Sequence, residues 1–173
     1  DQIAGKAAAF ADRRIVTVWP DTIGAGGLTF PGYHLCAALA GLRSGVAPNQ
    51  GLTNLQISGF DDLSRTTDLF NSSQLNTMAE SGVWIVTEND DQVVITRHAL
   101  NSIAADDVLQ DEEMVRVNVD SMAKGFRAAV EDLIGVSNVT PSTLDLIELR
   151  LKAKIEEYKE IRIERLGGQL IEG

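Results

Sequence analysis

The stretch "VTVWPDTIGAGGLTFPG", residues 16–32, is the first place to look for chemistry, because a β-branched run leads into glycines and a helix is expected from Pro31. A strand, a glycine turn and a helix N-terminus are the frame of a phosphate cradle, which would make the chain a nucleotide-binding α/β enzyme. The spacing is against it. A dinucleotide fingerprint on Gly24 and Gly26 needs a third glycine at 29, where threonine stands. A P-loop needs Lys and Ser or Thr after the last glycine, where Leu28 stands. No Lys or Arg occurs from Ile15 to Leu42 to meet a phosphate charge. The Gly24–Gly27 run therefore reads as a flexible linker between strand and helix, with the nucleotide-binding enzyme as the alternative.

The remaining reactive side chains are sparse. His34 and His98 are the only histidines, and apart from Cys36 beside His34 neither has a cysteine or carboxylate at ligand spacing. A metal needs three or four convergent ligands. Cys36 and His34 lie two apart on a helix and point in different directions, which disfavours a catalytic pair, and cysteine on an alanine-rich helical face behaves as a small hydrophobe. The acidic pairs Asp61-Asp62, Asp90-Asp91 and Asp106-Asp107 lack the spaced oxygens and glycine of a calcium loop and read as solvated turns. No catalytic residue, cofactor-binding residue, cofactor or metal site is therefore assigned.

The elements that would hold these residues follow from periodicity. RIVTVW, residues 14–19, alternates as a strand and stops at Pro20, which has no ladder donor. GYHLCAALAGLRSG opens a helix from Pro31 to about Arg43, with Gly45 as its stop and a small-residue face of Ala37, Ala38, Ala40 and Gly41 that another backbone can approach. VAPNQGLTN is a polar loop, and LQISGF, residues 55–60, a short apolar segment of strand character. SSQLNTMAESG, residues 72–82, carries a Ser/Asn cap, Leu75 and Met78 three apart, and Gly82 for a left-handed end. VWIVTE and VVITRH around NDDQ form a hairpin signal. From Asp111, the recurrence of Val115, Val119, Met122, Phe126, Val130 and Leu133 gives a helix ending at Gly135, although VRVNV alone also alternates as a strand. Thr140 and Pro141 open a last helix, with Leu144, Ile147, Leu151, Ile155, Tyr158 and Ile161 on one face, ending before Gly167 and Gly168. The fold class is α/β, mixed α+β: one mixed β-sheet with helices packed on it, including this long C-terminal amphipathic helix.

Composition narrows the functional classes. With 173 residues, one domain spanning 1–173 is the default. Hydrophobic residues make up 44%, no apolar run approaches the ~20 residues of a bilayer span, and membrane insertion is not expected. The start, DQIAGKAAAF, lacks both an initiator methionine and a long apolar core, which suggests a processed chain or a fragment rather than a signal peptide. One cysteine cannot form an internal disulfide. A net charge of −10 argues against a nucleic-acid partner.

The last helix is the most distinctive surface. Six bases, Arg150, Lys152, Lys154, Lys159, Arg162 and Arg165, stand among six acids between 142 and 165, and ~1.5 Å per residue makes the helix ~35 Å long. Leu149 and Ile163 fall outside the apolar stripe, as though something beyond the domain covers them. QLIEG, with Leu170 and Ile171, then begins a further apolar segment, as if a strand had been cut. Either a solvated face with i,i+4 pairs such as Glu148 to Lys152, or a docking surface, fits this pattern.

Three blocks carry a family resemblance. "GYHLCAALAGLRSGVAPNQGLTNLQISGF" resembles the small-residue helix, AGL step, Pro/Asn loop, LTN and short strand of contractile tail sheath proteins of bacteriophages. "LNTMAESGVWIVTENDDQVVITR" is similar to that family's next block, and "EEMVRVNVDSMAKGFRAAVEDLIGVSNVTPSTLDLIELRLKAKIEEY" to its closing helix pair, with Arg116, Asp120, Asn138 and Thr140 at family positions. The resemblance runs from about residue 15 to 170 and covers the inner, C-terminal type of domain. It implies the core domain of a longer sheath protein whose terminal arms are missing here, with no enzymatic activity. It further implies stacked hexameric rings of identical copies around a tail tube that shorten to drive the tube through the host envelope. Tail tube, baseplate and tail terminator proteins are the implied partners, and a virion tail assembled in the host cytoplasm the implied location. A phage tail is favoured over the related sheaths of tail-like bacteriocins and type VI secretion systems. Arg150, Lys152, Lys154, Lys159, Arg162, Arg165, Leu149, Ile163, Leu170 and Ile171 are then the expected contacts with tube or neighbouring subunit. A monomeric adaptor is the third reading.

Overall fold

A computed structural model describes residues 2–63, 69–103, 112–135 and 138–165, with side chains in the last helix described to residue 159. The chain divides into two compact units, Asp1–Asn118 and Val119–Gly173.

The first unit is organised by one strand. β4 (Val83–Glu88) pairs in parallel with β1 (Thr17–Trp19) and antiparallel with β5 (Val94–Thr96), giving the sheet order β1-β4-β5. Successive side chains of a strand leave opposite faces, and both faces of β4 are covered. Trp84 and Val86 enter one core with Ile23, Leu35, Leu39, Leu52, Ile57 and Leu63, where α2 (Tyr33–Ser44) packs. Val83 and Ile85 enter the other with Trp19 of β1, Ala7 of α1 (Gln2–Phe10), and Leu75, Met78 and Ala79 of α3 (Ser72–Glu80). This is the mixed sheet expected from the sequence, with helices on both sides.

The hairpin and the capped helix also stand as the sequence implies. Asn89 organises the β4–β5 turn: its Oδ1 accepts from the amides of Asp91 at 3.0 Å and Val93 at 2.9 Å. Asn71 caps α3 by accepting from the Gln74 amide at 3.0 Å, while the Gln74 side chain accepts from the Asn71 amide at 3.0 Å, a full capping box.

Four features differ from expectation. The glycine run is not a linker but the turn of a second, two-stranded sheet, β2 (Thr22–Ala25) with β3 (Leu28–Pro31). Gly26 and Gly27 have φ of 58° and 76°, the pair of positive values that a tight hairpin turn requires and glycine allows. Pro31 therefore ends β3, and α2 starts at Tyr33. The first strand is confined to Thr17–Trp19. LQISGF forms only a single bridge, Gln56 to Ile95, although the Ile57 amide also donates to Val94 O at 2.9 Å. Finally, Gln2–Phe10 is helical, with Ala7 buried against α3 and β4.

The start of β4 is the tightest place in the unit. Gly82 has φ of 77°, and a Cβ there would stand 2.6 Å from Asn101 O and 2.7 Å from Ile103 O. Buried Asn101 and Ser102 close this end by hydrogen bonds, Asn101 Oδ1 accepting from the Ile103 amide at 3.0 Å and Ser102 Oγ donating to Asp12 O at 2.9 Å.

Arg43 ties α2 to the start of α4 (Glu113–Val130). Its guanidinium donates to Gln50 O at 2.8 Å and to Ala47 O, and faces Glu113 Oε2 at 3.5 Å, with both side chains largely buried. Burial pushes the Glu113 carboxyl above its ordinary range, and Arg43 only partly offsets this.

Gly82→Ala is expected to destabilise the chain by about 1–3 kcal/mol, because a left-handed β-carbon meets backbone oxygens. Chemical denaturation followed by circular dichroism measures this, and an unchanged midpoint would show that the 101–103 backbone yields freely. A raised Glu113 pKa means that the folded state binds the proton more tightly, so this residue's favourable contribution is present at acid pH and lost as pH rises through the folded pKa. Glu113→Gln should accordingly flatten the fall of stability with rising pH above the usual carboxylate range. A pH series of melting curves on both proteins checks the sign.

Candidate functional site

The residues able to do chemistry stand in separate surroundings. In the glycine turn, Asp61 Oδ2 accepts from the Gly26 amide at 2.7 Å, and the Gly24 amide donates to Asp62 O at 2.9 Å. A carboxylate thus takes an amide that a phosphate cradle would offer to its anion. A Cβ at Gly24 would overlap the Asp62 side chain, so glycine here serves close backbone approach. His34 lies on the Phe30 edge and Tyr33 ring, with centroids 5.2 and 4.5 Å away. Cys36 is exposed instead of packed on a partner helix, and partial burial pushes its thiol above the usual range, away from a reactive thiolate. Ala37, Ala40 and Gly41 are likewise exposed, while Ala38 packs on the core. For His98, burial first and Arg97 second hold the imidazole below its usual pKa. Among the described residues no group of three His, Cys, Asp or Glu could hold a metal, and no helix is long and apolar enough to cross a membrane. Asp106 and Asp107 lie outside the described residues.

The surface expected to make contacts belongs to the second unit, where the rest of α4 meets α5 (Pro141–Arg165). The apolar stripe of the sequence does run on as helix, from Glu113 to Val130, a short 3₁₀ turn (Glu131–Leu133) and a left-handed Gly135 with φ of 79°. Thr140 then caps α5: its Oγ1 accepts from the Thr143 amide at 3.3 Å, and Thr143 Oγ1 donates to Asn138 O at 2.8 Å.

Two contacts lock the helices together, and neither is visible in the sequence. Phe126 and Tyr158 meet edge to face with centroids 5.9 Å apart. Gly125 leaves the space that the Tyr158 hydroxyl occupies, since a Cβ there would overlap it. Arg150 donates to Ala129 O at 3.3 Å and pairs with Asp132, which holds the Asp132 carboxyl below its usual range.

The other described cations of α5 are matched within the helix itself. Lys152 pairs with Glu148, Lys159 with Glu156 at 2.7 Å, and Lys154 with Glu157 at 2.6 Å while lying 5.3 Å over the Tyr158 ring. Each lysine thus stands in a local two-sign pair. Between these pairs the outer surface is apolar: Leu149 is 65% exposed, and Leu144, Leu146 and Ile155 are exposed as well, with Ile134 and Val139 in the loop before the helix. Leu149 therefore stands where the sequence places it, off the half-buried stripe. Of the residues expected on that stripe, however, only Ile147, Leu151 and Tyr158 are half-buried, whereas Leu144 and Ile155 are exposed and the Ile161 side chain lies outside the described residues. Arg162, Ile163 and Arg165 fall within the helical backbone, their side chains lying outside the described residues, as do Leu170 and Ile171 altogether.

Comparison with known proteins agrees with this framework. No family model matches the sequence, and no curated protein matches it. Solved structures do match. A chain of the 6-fold symmetrised baseplate of the anti-feeding prophage is similar over 87% of this chain and 40% of its own, with TM-score 0.73 and 14% identity. A sheath tail protein from Listeria innocua is similar over 87% of this chain and 36% of its own, with TM-score 0.72 and 14% identity. The chain has the sheath tail protein fold. The sheath of the same prophage in its contracted state also shares it, over 86% of this chain and 41% of its own, with TM-score 0.69 and 14% identity. The chain thus spans well under half the length of these sheath-fold structures.

The helix pair supplies a direct test. Gly125→Ala replaces glycine by a better helix former, worth about 1 kcal/mol in an open helix. Overlap with Tyr158 should reverse that sign and leave the variant less stable by about 1–3 kcal/mol. Adding Tyr158→Phe should restore part of the loss, and urea denaturation of the two variants and the double variant measures the coupling.

Proposed function

We propose that the chain is the tube-proximal core domain of a contractile-tail sheath subunit, a structural protein rather than an enzyme. Copies stack as hexameric rings around a tail tube, held extended until they shorten and drive the tube through the host envelope. The sheath belongs to a phage tail assembled in the host cytoplasm, with tail tube, baseplate and tail terminator proteins as partners. The observation that carries this reading is a sheath tail protein fold over 87% of the chain at TM-scores of 0.73 and 0.72.

The chemistry of α5 supports it. Exposed ion pairs such as Lys152 with Glu148 contribute about 0–1 kcal/mol each, so their partners can be exchanged for those of a neighbour at small cost. Charge of both signs then sets register, while Leu144, Leu146 and Leu149 supply apolar area to be covered. Arg150, Lys152, Lys154, Lys159, Arg162 and Arg165, with Leu149 and Ile163, are assigned to tube or neighbour contacts. Leu170 and Ile171 are assigned to an arm that adds to a neighbour's sheet edge.

Immunogold electron microscopy of particles from the source, with antibody raised against this chain, is expected to decorate contractile tails along their outside. Intact but unlabelled tails beside soluble antigen would overturn the reading. Reversal of Lys152, Lys154 and Lys159 to Glu places like charges beside Glu148, Glu157 and Glu156 and should weaken ring stacking most at low salt. Assembly indifferent to that triple change would remove α5 from the contact.

A further inference from the structure

Among the described residues of the second unit, from 119 to 159, none is buried. α4 covers one flank of the α5 stripe, where Phe126 meets Tyr158 and Asp132 pairs with Arg150. The other flank is open. There Leu144, Glu148, Leu151 and Ile155 recur at spacings of four, three and four, the spacing of a coiled-coil seam. Leu144 is 55% and Ile155 41% exposed, and Leu151 is half-buried. Beside this seam stand Asp145 and Lys152, seven residues and about 10 Å apart along the helix, too far to pair with each other. Lys152 is held by Glu148, whereas Asp145 has no partner among the described residues.

We propose that this flank of α5 pairs antiparallel with the same flank of a second copy, about a two-fold axis near Leu149 and Arg150. An axis there sets Leu144 of each copy against Ile155 of the other, with Leu151 close to the axis, and so closes the apolar seam. The order of charge decides the direction. Asp145 and Glu148 precede Lys152 along the exposed side of the helix, so reversing one helix brings acids opposite a lysine twice. A parallel pair would instead set like charge against like. Asp145 thereby gains the cation that its own helix does not offer, and the pair of Glu148 with Lys152 extends into a network shared by both copies. Glu156 and Lys159, already paired with each other, fall opposite the uncharged stretch Thr140–Thr143. A seam whose charges are their own complement on reversal fits an identical helix. Such a contact is isologous and closes at two copies. The pairing goes beyond the sheath reading and does not depend on it; where that reading holds, paired copies must separate before α5 meets tube or neighbour.

Sedimentation velocity of the full chain over a concentration series is expected to show a monomer–dimer equilibrium that stops at two copies. Lys152→Glu, or Asp145→Lys with Glu148→Lys, should each weaken the dimer about tenfold or more, most at low salt. An equimolar mixture of those two variants should regain it, because each introduced charge then faces its opposite across the axis. Leu144→Ser should weaken the dimer at low and high salt alike. All four positions are exposed, and circular dichroism identifies any charge variant that fails to fold, in which case Leu144→Ser decides. A chain that stays monomeric at every concentration overturns the pairing. So does self-association indifferent to both charge variants, or loss in both without recovery on mixing. These results leave the sheath reading to the labelling of tails, and unlabelled tails would overturn that reading while leaving the pairing in place.

Discussion

The first unit depends on the burial of β4 on both faces. Val83, Ile85 and Val86 are fully shielded and Trp84 nearly so, and their alternation sends Trp84 and Val86 to one core and Val83 and Ile85 to the other. A strand covered on both faces must be apolar at successive positions and must have its ladder groups paired. β1 and β5 provide that pairing, and their own positions follow from it. The requirement reaches beyond the strand: the chain enters β4 through left-handed Gly82 with the 101–103 backbone against it, and there is no room for a side chain.

What the sequence made legible is what local chemistry decides. The NDDQ turn, the Asn71 cap with its Gln74 partner, the three-and-four recurrence of α4 and the Thr140-Pro141 start of α5 each follow from hydrogen bonds or periodicity within a few residues. At Gly24–Gly27 a phosphate loop, a linker and a tight turn share one local signal, because two adjacent glycines between Ala25 and Leu28 suit each of them. The strand partner that distinguishes them is the return segment Leu28–Pro31, whose proline suits a helix start equally well. The first helix has no sequence stripe, because it buries little more than Ala7 and Ile3.

The make-up of the α5 surface was legible in part, but its pairings were not. Charge of both signs and the displaced Leu149 are sequence facts, and the structure puts Leu149 at the surface. Which cation pairs with which acid depends on rotamers and on α4, so Arg150 with Asp132 could not be read from spacing. Gly125 and Tyr158 are too far apart in the chain for periodicity to connect them, and their contact exists only because two helices approach closely at a residue without a β-carbon. Tertiary packing supplies such pairs, and a single sequence gives no signal for them.

As the proposed subunit contact, the surface of α5 has two requirements to balance. Burying Leu144, Leu146 and Leu149 against a partner removes apolar area from water and provides attraction that salt barely screens. Attraction of that kind is not directional, so it cannot by itself choose one register over the next. The pairs Lys152 with Glu148 and Lys159 with Glu156 add direction, because only certain offsets bring opposite charges together. Before docking, each charge is already neutralised by a neighbour on the same helix, so a partner gains only the difference between two exposed pairs, which is small. In that proposed role the helix suits contacts that differ little in free energy between alternative registers.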